Sequence, residues 1–201
     1  MSKTAAGPIL HLIRRLVEDQ RLKELPDQEL LRRFSSGRDE AAFSALLRRH
    51  GPMVLDICRN MLRNEEDAED AFQATFLVLA QRATAIRKKS SVGSWLHGVA
   101  YRTALKAQAE FAKRHKNEAG HPARTPAPSC DDLRWREVQQ ALHGELNRLS
   151  ECYRAPLVLC YLEGNTQDQA ALLLGVSRGT VKKRLEFARR NRCQFIFIVR
   201  K

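Results

Sequence analysis

The sequence predicts an all-α protein: two small helical bundle domains joined by a flexible linker. Three observations carry this reading. Leu, Ala and Arg supply 75 of the 201 residues, and these side chains lose little on entering a helix. Gly (10) and Pro (7) are too few for the frequent turns of a β-sandwich or barrel. Residues 112–132, AKRHKNEAGHPARTPAPSCDD, contain no Leu, Ile, Val, Phe, Met, Trp or Tyr. Such a stretch cannot bury enough surface to fold and reads as a linker. Hydrophobic residues make up 43% of the whole chain, which excludes a fully disordered one.

Residues 1–25 read as an extension in which Leu10, Ile13, Leu16 and Val17 line one side of a short helix. The first domain spans 26–111. Asp27 is placed to cap a helix carrying Leu30, Leu31 and Phe34, and Asp39 a second carrying Phe43, Leu46 and Leu47. Gly51-Pro52 is expected to interrupt the chain before Leu55, Cys58 and Leu62 resume the helical spacing. Asn64 is placed to cap the next helix, which opens with Glu65, Glu66, Asp67, Glu69 and Asp70 and runs through Phe72, Phe76 and Leu79 to about Ala85. Acids there complement the helix dipole. A polar basic stretch, Arg87 to Ser91, precedes a last helix starting near Ser94.

The second domain spans 133–192, with Asp131 or Asp132 as its cap. Trp135, Val138, Leu142, Leu146 and Leu149 recur at intervals of 3, 4, 4 and 3, one apolar face of a helix. Ser150 opens a segment that includes Pro156 and ends at Gly164. Residues 164–190, GNTQDQAALLLGVSRGTVKKRLEFARR, carry the strongest local signal. Thr166 and Gln169 form a T-x-x-Q capping box. Gly175 sits where a tight turn needs positive φ. Ser177 caps a second helix, with Val181, Leu185 and Ala188 inward and Lys183 and Arg190 outward. Two short helices joined by a glycine turn, the second strongly basic, form a helix-turn-helix. The tail 193–201 contains the apolar run Ile196 to Val199, which would shorten the last helix, cover the core or lie as an exposed strand.

The formal net charge is +12, which points to a polyanionic partner. No apolar stretch reaches membrane-spanning length, and no signal peptide opens the chain, so membrane insertion is not expected. The five Cys residues are scattered, none in CxxC, as expected of reduced thiols in a cytoplasm. No nucleophile elbow, P-loop, Rossmann glycine pattern or metal-ligand spacing is present, so neither enzyme nor cofactor nor metal is expected.

The stretches DEAAFSALLRRHGPMVLDICRNMLRNEEDAEDAFQATFLVLAQRA, GSWLHGVAYRTALKA and LNRLSECYRAPLVLCYLEG, followed by the helix-turn-helix, resemble an ECF-class bacterial sigma factor. The resemblance covers about 39–110 and 140–190. It implies a sigma region 2-like first domain that binds the β′ clamp helices of RNA polymerase core and opens the −10 element. It implies a sigma region 4-like second domain that reads the −35 element and touches the β flap. The clamp-facing stretch matches Asp67, Glu69, Asp70, Phe72 and Gln73, although acids there also serve the helix dipole. The single-stranded −10 contacts match Lys88, Lys89, Ser90, Ser91, Trp95, His97, Tyr101, Arg102 and Lys106; Trp95 is equally a core residue. The double-stranded −35 contacts match Arg178, Thr180, Lys182, Lys183 and Arg184, with Lys183 where many members carry Ser. An anti-sigma partner is common in the family, and no residue identifies one. The alternative is a stand-alone helix-turn-helix regulator, which would place a ligand pocket or dimer interface in the first domain.

Overall fold

The computed structural model describes residues 21–86, 91–117 and 130–191, and among these all regular structure is helical. The first bundle begins with α1 (Asp27–Gly37), which buries Leu30 and Leu31. Asp27 does not cap it. It is the first helical residue after Pro26, and its carboxylate instead accepts from Arg49 Nη1 (2.5 Å) and faces His50 Nε2 (3.0 Å). Cations 22 and 23 residues away in the chain outbid the local amides.

Helix α2 (Glu40–Met61) is capped as its sequence predicts: the Asp39 carboxylate accepts from the N–H groups of Ala41 and Ala42. It then runs through Pro52 without the expected interruption. Proline inside a helix costs about 3 kcal/mol. Burial of Leu46, His50 and Gly51 on one side and of Met53, Val54 and Ile57 on the other offsets that cost. Helix α3 (Glu65–Arg82) is capped by Asn64 Oδ1 and closes in a 3₁₀ turn, Ala83–Ala85. Helix α4 (Val92–Asn117) starts at Ser91, whose Oγ accepts the Ser94 N–H (3.2 Å). It continues six residues into the segment expected as linker, where Ala, Lys and Arg at 112–117 favour helix. The core of this bundle is built from Leu30, Leu46, Val54, Ile57, Phe76, Leu79, Leu96 and Ala100.

The second bundle comprises α5 (Cys130–Arg148), α6 (Glu151–Leu157), a π-helical turn (Val158–Leu162), α7 (Gln167–Leu174) and α8 (Arg178–Asn191). Leu142, Leu146, Leu157, Leu159, Ala170, Val181, Leu185 and Ala188 form its core. Only the C-terminal half of the predicted α5 face is buried; Trp135 and Val138 remain 48% and 36% exposed. Expectations for 1–20, 118–129 and 192–201 lie outside the described residues, among them the extension, the linker's central part and the apolar tail.

The bundles are packed together. Helix α5 lies against α2 and α4, and Val158 of the π turn joins the core of the first bundle. Met61 O accepts from Gln108 Nε2 of α4 and lies 3.4 Å from Gln140 Nε2 of α5. Helices α4 and α5 approach closely at Gly144, where an added Cβ would lie 3.2 Å from the Tyr101 hydroxyl.

Candidate nucleic-acid interface

The helix-turn-helix is assembled by local bonds. Thr166 Oγ1 accepts the Gln169 N–H (3.2 Å) while Gln169 Oε1 accepts the Thr166 N–H (2.8 Å), closing the capping box. Gly175 takes the left-handed conformation (φ 63°) and donates to Leu172 O, and Val176 donates to Ala171 O. This ends α7 and turns the chain. Ser177 Oγ accepts the Thr180 N–H (3.2 Å) and starts α8. Val181, Leu185 and Ala188 then anchor α8, spaced at i, i+4 and i+7.

That anchoring fixes what α8 presents outward. Its 14 residues hold six Lys/Arg and one acid, Glu186. Arg178, Lys182 and Lys183 are exposed, while Thr180 and Arg184 are half-buried. The Thr180 hydroxyl is shared with Ser177 Oγ (2.9 Å) and belongs to the cap. Arg178 Nε is 3.5 Å from Asp168 Oδ1, with both side chains in water, so the pair is screened and opens readily toward a phosphate. Phe187 stacks on Tyr153 of α6 (4.3 Å between centroids), tying α8 to the bundle.

On the first bundle, the α3 N-terminus presents Glu69, Asp70 and Gln73 to solvent, with Asp67 half-buried beside them. Phe72, half-buried, also packs inward. Its ring lies 5.0 Å from that of Phe76 and against Gly51, where it locks α3 onto α2.

The nine residues expected at the displaced strand fall into three groups. Lys88, Lys89 and Ser90 lie outside the described residues. Trp95, Arg102 and Lys106 share one stripe of α4 by the 3.6-residue period. Trp95 is half-buried against the core, as its core reading predicts; Arg102 is exposed, and Lys106 pairs loosely with Glu110 (3.7 Å). Burial, reinforced by Arg154 and Arg82, lowers the pKa of Arg102. The third group turns inward: Ser91 caps α4, His97 is fully buried, and Tyr101 is half-buried against α5.

His97 belongs to a polar seam between the bundles that sequence spacing does not reveal. His97 Nε2 lies 3.2 Å from His143 Nδ1. Ser94 Oγ donates to Glu151 Oε2 (3.0 Å) and accepts from Arg154 Nε (3.1 Å). At the far end, His50 bridges both domains, with Nδ1 2.6 Å from Glu163 Oε1 and Nε2 3.0 Å from Asp27 Oδ2. Burial disfavours the His50 charge, but hydrogen bonds to the two carboxylates outweigh it and raise its pKa to about 9. Burial lowers His143 to about 4, and burial with the nearby His143, Arg154 and Arg102 holds His97 well below the usual range.

Among the described residues, no group of three His, Cys, Asp or Glu is disposed to hold a metal ion, and no helix is long and apolar enough to cross a membrane. The outward chemistry is therefore a basic helix, an acidic helix end and a stripe combining an aromatic with two cations.

Comparison with known proteins follows the same division. Residues 46–114 match the family model for sigma-70 region 2, and residues 139–191 the model for sigma-70 region 4. The chain is 34% identical over 166 residues to the ECF RNA polymerase sigma factor SigM of Mycobacterium tuberculosis, covering 83% of this chain and 82% of that protein. It is 28% identical over 154 residues to the RNA polymerase sigma factor CarQ of Myxococcus xanthus, covering 77% and 88%. Among solved structures, CnrH in complex with the cytosolic domain of CnrY aligns over 86% of this chain and 96% of that one, at 22% identity and a TM-score of 0.44.

Proposed function

We propose, from the premise that this chain belongs to the ECF sigma factors of the sigma-70 family, a division of labour between its two bundles. The chain is an RNA polymerase sigma factor whose partners are the polymerase core and promoter DNA. In our reading, α8 enters the major groove of the −35 element. Arg178, Lys182 and Lys183 contact phosphates and base edges there, with Arg184 supporting them. Four phosphate contacts would give affinity a log–log salt slope of about −4.

The acidic end of α3, with Asp67, Glu69, Asp70 and Gln73, meets the clamp of the polymerase core. Phe72 sets the angle of that surface from beneath. Residues Lys88 to Ser90 and the α4 stripe of Trp95, Arg102 and Lys106 hold the non-template strand at the −10 element. Extruding a base costs a few kcal/mol. Stacking on an aromatic returns roughly 1–3 kcal/mol per base, and the cations on the stripe add phosphate contacts. The chain itself performs no catalysis in this account; phosphodiester synthesis belongs to the core enzyme, and the site of action is the bacterial cytoplasm.

The observation that supports this reading above others is the order on one chain of an acidic helix end, an aromatic and cationic stripe, and a basic helix-turn-helix. A stand-alone regulator needs only the last. The test is mapping of transcript 5′ ends made by purified core polymerase with and without the chain. Discrete starts sharing two spaced elements are expected. Promoter-independent initiation would refute the assignment.

A further inference from the structure

We propose that the polar seam between the bundles is an acid-released latch. While the His97–His143 pair is uncharged, the second domain stays folded over one face of α4; protonation of the pair frees that face. The consequence for DNA rests on the strand-binding role given to α4 above, whereas the latch itself does not.

The geometry carries the argument. Ser94, His97 and Tyr101 fall on one stripe of α4 and all point at the second domain. That stripe adjoins Trp95, Arg102 and Lys106; the two cations are exposed in the closed form, so opening adds the face of Ser94, His97 and Tyr101 beside them. The groups around the pair come from three helices. Helix α4 supplies His97, Tyr101 and Arg102, α5 supplies His143 and Asn147, and α6 supplies Glu151 and Arg154; Arg82 of α3 acts on Arg102. The Glu151 charge is already engaged by Arg154 Nη2 (2.6 Å) and Ser94. A proton on either imidazole therefore adds a cation beside Arg102 and Arg154. The ring nitrogens facing away, His97 Nδ1 and His143 Nε2, are buried without a hydrogen-bond partner. Asn147 Oδ1 and Glu151 Oε1 are buried at the same seam without a partner, and neither is hydrogen-bonded to these ring nitrogens, so a charged N–H there stays unpaired unless the seam rearranges or opens to water.

The sign follows from linkage. Both imidazoles titrate lower in the closed form than the ordinary 6.5. Closure is fully favoured above about pH 6.5 and is lost as pH falls toward the closed-form values. At pH about 5.5 each histidine raises the opening constant about tenfold, and the pair about a hundredfold. The opposite end behaves otherwise. His50 stays charged between Asp27 and Glu163 until pH passes about 9, so acid leaves that anchor intact.

The test uses the full chain without polymerase. Ser94 is fully buried at the seam, so in a chain whose native cysteines, the exposed Cys152 among them, are replaced by alanine, a Ser94→Cys reporter reacts when the domains part. Its labelling rate by an acid-active disulfide reagent is normalised to an unfolded peptide with the same thiol. A rise of about a hundredfold from pH 7.5 to 5.5 is expected, reduced to about tenfold by His143→Gln. Gly93→Ala gives a second arm. A Cβ there collides with Glu163 Oε1, which can move only by leaving His50. This variant should label faster at pH 7.5. A normalised rate that does not change with pH, or an unchanged pH step in His143→Gln, overturns the latch. Binding of a labelled single-stranded oligonucleotide at pH 7.5 separates the second claim. Tighter binding by Gly93→Ala supports the strand-binding face. Faster labelling without tighter binding refutes that role of α4 while leaving the latch in place.

Discussion

Replacing His50 by Gln probes the joint between the domains most sharply. The imidazole is buried, 2.6 Å from Glu163 and 3.0 Å from Asp27, with Arg49 also on Asp27. Its pKa of about 9 against an ordinary 6.5 corresponds to about 3 kcal/mol of stabilisation, at roughly 1.4 kcal/mol per pH unit. That lies near the 3–5 kcal/mol expected when one partner of a buried ion pair is removed. Glutamine has one amide donor group and no charge, so two buried carboxylates would be left undercompensated. The pH dependence has a definite sign. A raised pKa gives stability that is complete below about 6.5 and fades as pH climbs through about 9. Urea unfolding of both proteins from pH 6 to 10 should show His50→Gln about 3 kcal/mol less stable at pH 6, the gap closing above pH 9. A gap that does not vary with pH, or one under about 1 kcal/mol at pH 6, would refute the charged bridge.

Other predictions are simpler. Lys182→Ala and Lys183→Ala should each reduce the salt slope of double-stranded promoter binding by about 1, with helicity unchanged; titration at several salt concentrations reads this directly. Gly175→Ala forces a Cβ into the left-handed region at φ 63° and should cost about 1–2 kcal/mol in thermal unfolding, although no atom lies within 4 Å of that Cβ. Leu146→Ala, which truncates a fully buried core side chain, should cost 2–5 kcal/mol or so by the same measurement.

What the sequence made legible was local. The Thr166 capping box, the Gly175 turn, the Ser177 cap and the inward spacing of Val181, Leu185 and Ala188 all act within a few residues, and each stands as read. The Asp39 and Asn64 caps follow the same rule. Readings failed where distant partners overrode local preference. Asp27 gave up capping for Arg49 and His50, and Pro52 stayed helical because buried residues flank it. Phe72, matched to the clamp surface, is held largely by ring packing. The seam was invisible because its pairs are far apart in the chain: 113 residues separate His50 from Glu163, and 46 separate His97 from His143. No periodicity encodes such a contact, and the family resemblance alone sets His97 toward DNA.

The central claim is that the acidic end of α3 docks this chain on RNA polymerase core. Size-exclusion chromatography with light scattering, on the full chain mixed with purified core, tests it directly. A one-to-one complex is predicted, lost in the Glu69→Lys, Asp70→Lys double variant even though both side chains are exposed and the fold is retained. Absence of any complex with core, or a complex indifferent to that charge reversal, would contradict the account.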